Sequence, residues 1–153
     1  MTKRKIDSTD ILNEPHNTQN GLPKVTSGLT FGNKKRRRVD QFAFRQKLLK
    51  KYETCVITGH SFHRSDACHI KPFSICSEEE KYDISNGIIL DSGIHKLFDK
   101  YMLTINPSNS QIEIKKHVSN IDKSLEKYDG KKIDVLDSLT LKYLEHHYRI
   151  YSK

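Results

Sequence analysis

Between Asp66 and Tyr101 the chain reads DACHIKPFSICSEEEKYDISNGIILDSGIHKLFDKY, and this stretch limits the fold more than any other. It places His69 just before Ile-Lys-Pro, an Asn-Gly step at Asn86 and Gly87, and His95 inside His-Lys-Leu-Phe-Asp. Short apolar runs bounded by turn residues read as strands. Ala67 to Phe73 is one such run and is expected to stop near Pro72, which cannot donate to a ladder. Gly87 to Leu90 is a second, buried strand. Ser92 then opens a short helix over Gly93 to about Lys100, with Leu97 and Phe98 as its apolar contacts. The order is strand, acidic loop, strand, helix.

The flanks support this unit. Asp40 suits a helix N-cap, and Phe44, Leu48, Leu49 and Tyr52 follow at helical spacing. A helix is expected from about Val39 to Tyr52, with Arg45, Lys47, Lys50 and Lys51 on its other face, solvated or against phosphate. Cys55 to Gly59 reads as a short strand ended by glycine. Tyr101 to Ile105 and Gln111 to Val118 alternate about a turn-rich Asn106–Ser110, which predicts a β-hairpin. Tyr128 to Lys131 is another turn, and Leu139 to Tyr151 is spaced as a closing helix. Of the paired histidines on that helix, His146 and His147, one is expected packed and one exposed.

Residues 1–38 are polar, lack apolar periodicity and read as a disordered basic tail. Residues 39–153 form the folded domain, of α+β class, with its ββα core at about 66–101. The tail carries Lys3-Arg4-Lys5 and the run Lys34, Lys35, Arg36, Arg37, Arg38, which suits a nucleic-acid arm or a nuclear-import signal. The net charge of +8 points the same way, to a polyanionic partner. No apolar run approaches the roughly 20 residues of a membrane span, and no signal-peptide core opens the chain. An intracellular protein is expected, nuclear in a eukaryotic host and otherwise cytoplasmic. Cys55, Cys68 and Cys76 are then thiols or metal ligands rather than a disulfide framework.

Cys-His-Ile-Lys-Pro, then Asn-Gly-Ile-Ile-Leu, then His-Lys-Leu-Phe-Asp resembles the HNH endonuclease family, the ββα-metal finger nucleases. The opening Arg45 to Gly59 is similar to the lead-in of the same branch, and Tyr143 to Tyr151 resembles its ending. The resemblance implies a small ββα finger flanked by an N-terminal helix, a hairpin and a C-terminal helix. It also implies a metal-dependent DNA endonuclease. His69 would be the general base. Asn86 would hold the loop that orients it. His95 would be a metal ligand and belongs with the catalytic set. Asp99, one helical turn on, would be a second ligand or else a carboxylate serving the fold.

Such hydrolysis needs a base for water and a cation for the phosphate charge, and a neutral imidazole serves as the base near pH 7. One divalent ion is implied: magnesium or manganese where carboxylates and water dominate, zinc or nickel where nitrogen ligands do. Where many relatives carry a metal-binding Asp or His before the base, this chain has Cys68, either a soft ligand or a small buried side chain. Asp66 would face the same side of the strand. A structural zinc from Cys55, His60 or His63, Cys68 and Cys76 lacks any C-x-x-C pair. DNA is the expected partner, with no membrane and no small-molecule cofactor. A double-strand break would need two sites or a homodimer. The alternative is a non-catalytic nucleic-acid-binding protein that retains a structural or zinc-held finger.

Overall fold

The computed structural model describes residues 21–153. The basic cluster at Lys3 to Lys5 lies outside them. The chain forms two compact units, Met1–Asp40 and Gln41–Lys153.

Helix α1 spans Gly21–Tyr52 and so begins well before Val39. Of the run expected as a disordered tail over 1–38, residues 1–20 lie outside the described residues and 21–38 fall within this helix. The Lys-Arg run is made of good helix formers. In the second unit the C-terminal turns of α1 bury Phe44, Leu48 and Tyr52.

Strands β1 (Ser65–His69) and β2 (Gly87–Asp91) pair antiparallel, with Cys68 opposite Ile88 and His69 opposite Gly87. Ile88, Ile89 and Leu90 are fully buried. Strand β1 stops short of the expected Phe73, because the Lys71 N–H is taken by the Asn86 side-chain oxygen at 2.8 Å and Pro72 has none. Residue 87 is glycine because of close approach. A Cβ there would lie 2.6 Å from Phe44 Cζ and 2.7 Å from Leu48 Cδ1. Gly87→Ala should therefore displace both side chains and lower stability by about 1–3 kcal/mol, read as a lower urea midpoint with an unchanged slope.

Helix α2 covers Ser92–Asp99, with Asp91 capping it by accepting the Gly93 N–H at 3.1 Å. Ile94 and Phe98 form its buried face, which leaves His95 and Asp99 as the adjacent i, i+4 pair. The helix ends with Tyr101 in the left-handed region (φ 56°) and the Met102 N–H bonded to the Leu97 carbonyl.

The hairpin follows as β3 (Leu103–Ile105) and β4 (Ile112–Ile114). Its second run ends at Ile114 rather than Val118. The Lys115 carbonyl accepts the Val118 and Ser119 N–H groups and starts α3, Lys116–Ile121. The Cys55–Gly59 stretch is a turn, not a strand. Gly59 adopts φ 76°, its N–H returns to the Cys55 carbonyl, and the Cys55 sulfur accepts the Thr58 N–H at 3.3 Å. Helix α4, Ser138–Tyr151, is capped by Asp137 and buries Thr140, Leu144 and His147. Among the described residues no helix is long and apolar enough to cross a membrane.

Candidate active site

Strand β1 and helix α2 bring their polar side chains to one place. His69, His95 and Asp99 line a common cavity of about 300 Å³, with Tyr101 and His147 in its wall. The geometry on each side is built by a different part of the chain.

On the strand side, the His69 Nε2–H donates to the Lys81 carbonyl at 2.7 Å. The ring stacks on Phe44 at 4.5 Å and 7°, and meets the edge of Phe73 at 5.4 Å. A ring held this way keeps Nε2 protonated and leaves Nδ1 without its proton. Burial lowers its pKa below the usual 6.5, so it is neutral at pH 7.

Asn86, fully buried, sets the loop that supplies that carbonyl. Its side-chain oxygen accepts the Lys71 N–H, and its amide donates to the Glu80 carbonyl at 3.1 Å and to the Cys76 sulfur at 3.2 Å. The amide thus clasps both ends of the loop, and Lys81 follows directly. Lys71 and Glu80 also pair at 2.7 Å.

On the helix side, the His95 Nδ1–H donates to Asp66 Oδ2 at 3.0 Å, and Nε2 lies 3.2 Å from Asp99 Oδ2. The Cys68 sulfur is 3.9 Å from Asp99 Oδ1. Donor atoms of Cys68, His95 and Asp99 lie within 4.8 Å of one another, the one such group of three among the described residues. Sulfur, nitrogen and oxygen converging on one point, with the imidazole buttressed by Asp66, fits a divalent ion. Burial first, then the charges of Asp99 and Asp66, pushes the Cys68 thiol well above its usual pKa. The conceivable zinc set through Cys55 and Cys76 is not assembled. The Cys55 sulfur is in its own turn, and Cys76 faces Asn86.

His147 closes the back wall. It is 2% exposed, stacks on Phe98 at 3.6 Å, accepts the Thr104 hydroxyl and donates to the Phe98 carbonyl, each at 2.8 Å. It is the packed member of the pair; His146 is half-buried. Burial depresses the His147 pKa to about 4. The unfolded ring titrates near 6.5, so the unfolded chain takes the proton first as pH falls. The resulting stability is present above about pH 6.5 and is lost as pH falls toward 4, about 3 kcal/mol in all. Urea midpoints at pH 7 and 4.5 should therefore differ much more for the parent than for His147→Gln.

The basic residues divide. Lys34, Lys35, Arg36, Arg37 and Arg38 are exposed on α1 in the first unit. Within the second, two cations considered for phosphate serve the fold instead. Arg45 donates to the Ser65 and Phe62 carbonyls at 2.8 and 3.0 Å, and Lys51 pairs with Asp137 at 2.8 Å. The Lys81 carbonyl and the Phe44 ring escaped sequence reading. A backbone acceptor leaves no residue signature, and Phe44 reads only as core.

The site thus combines a ββα unit, a histidine at the end of its first strand and a His–Asp pair on its helix. Residues 55–106 match the family model described as HNH endonuclease, which supports the HNH family for this chain. No curated protein matches it.

Proposed function

We propose that the protein is a metal-dependent DNA endonuclease that hydrolyses phosphodiester bonds with His69 as general base. The observation that carries this reading is the shared cavity. An imidazole with a free Nδ1 stands on one wall and the His95–Asp99 donors on another. His69 Nδ1 takes a proton from water as the water oxygen attacks phosphorus, while the bond to Lys81 holds the ring in the required tautomer. Asn86 positions the loop and so acts through Lys81. His95 and Asp99 hold the divalent ion, with Asp66 orienting His95. When bound, the ion neutralises charge developing on the phosphate and the leaving oxygen. The exposed Lys34–Arg38 run binds DNA phosphate without reading bases and acts as an import signal in a nucleated cell. Plasmid nicking across magnesium, manganese, nickel and zinc, with and without EDTA, tests the proposal. Nicking that chelation abolishes is the expected result.

The buried Cys68 thiol among the donors favours one other reading, a zinc-held finger that binds nucleic acid without cutting it. Tight, salt-sensitive binding with no nicking in any metal would establish that alternative.

A further inference from the structure

We propose that Cys68 is itself a ligand of this metal site, and that the resident ion is thiophilic, zinc or a zinc-like divalent ion, rather than magnesium. The inference rests on the reading of the cavity as a metal site and adds the class of ion.

The chemistry of the donor set carries it. Donor atoms of Cys68, His95 and Asp99 lie within 4.8 Å of one another, with His95 Nε2 3.2 Å from Asp99 Oδ2 and Cys68 Sγ 3.9 Å from Asp99 Oδ1. One sulfur, one nitrogen and one carboxylate are the ligands zinc takes, whereas magnesium takes oxygen ligands.

The surroundings agree. The Nδ1–H of His95 is held by Asp66, the buttress that zinc-bound imidazoles use, so Nε2 is the free donor. Cys68 is fully buried, whereas magnesium keeps several of its waters and has no use for a dry sulfur wall. Cys68 packs in the hydrophobic core, where its sulfur meets the His69 carbonyl at 3.4 Å and also a carboxylate oxygen, Asp99 Oδ1, at 3.9 Å. A sulfur in the donor set selects softer ions. As the sulfur–metal bond forms, the thiol proton leaves to solvent and the ion sheds water; no oxidant or reductant is involved.

Cobalt(II) added to the full-length protein is the first probe. It should give an intense near-ultraviolet band from thiolate-to-cobalt charge transfer. Cys76→Ser should keep the band and Cys68→Ala should lose it. Zinc affinity, from competition with a chromophoric chelator, should fall by at least about 10² in Cys68→Ala. X-ray absorption at the zinc edge of the parent needs no variant and should show one sulfur at about 2.3 Å. A zinc shell of nitrogen and oxygen alone, or a cobalt band and zinc affinity unchanged in Cys68→Ala, overturns the proposal. A parent that shows the sulfur shell but nicks no DNA upholds the ligand and removes the nuclease. Nicking with a sulfur-free shell does the reverse.

Discussion

On the proposed mechanism, His69→Ala is expected to leave DNA binding intact and to slow plasmid nicking by about 10²–10⁴. The ring is held by three independent contacts: the Lys81 carbonyl, the face of Phe44 and the edge of Phe73. None of these is a DNA contact, so alanine removes the base without removing an attachment point. The pH dependence gives a second signature. Burial lowers the pKa of His69, so the neutral ring that the proposed mechanism needs persists below pH 6.5. Nicking should hold from neutral pH down to that lowered pKa and be lost as pH falls through it. A variant that nicks as fast as the parent, in the same metal and at equal protein, removes His69 from the reaction.

His95→Ala is expected to cost about 10³-fold or more in nicking rate, a loss of several kcal/mol of charge stabilisation. The imidazole is the central donor of the site, flanked by Asp66 at 3.0 Å and Asp99 at 3.2 Å. Its loss leaves two carboxylates and a thiol without the nitrogen that joins them. Asp66→Asn should cost less, because Asp66 only orients the ring, and its effect should appear mainly as a higher metal concentration for half-maximal rate. Full nicking by His95→Ala at saturating metal would place the ion elsewhere. Far-ultraviolet circular dichroism separates this from unfolding, since Ile94 and Phe98, not His95, bury the helix.

The ordered motifs made much of the site readable. Asn86 before Gly87 located the strand start, and four-residue spacing put His95 and Asp99 on one helical face. Less readable was everything that depends on chain reversal. The Cys55–Gly59 run has the apolar content of a strand, but Gly59 bends it into a turn, tied to β2 by the Val56 N–H on the Ile89 carbonyl. Gln111 to Val118 alternates as a strand throughout, yet the Lys115 carbonyl starts a helix there. Local pattern reports burial preference, whereas an element's end is set by which distant group takes its backbone hydrogen bonds.

By itself the amino-acid sequence determined the class of fold and the order strand–loop–strand–helix, because these follow from short-range periodicity and spacing, whereas the roles expected of His69 and His95 came from the resemblance to the HNH family. Only the tertiary structure decided that the Lys81 carbonyl holds His69, that Asp66 holds His95, and that the core-buried Cys68 sulfur comes within 3.9 Å of Asp99 Oδ1. Those three contacts join residues separated by 12 to 31 positions. They exist because β1 and β2 pair in one register and α2 packs its Ile94–Phe98 face inward, which carries His95 and Asp99 to the strand.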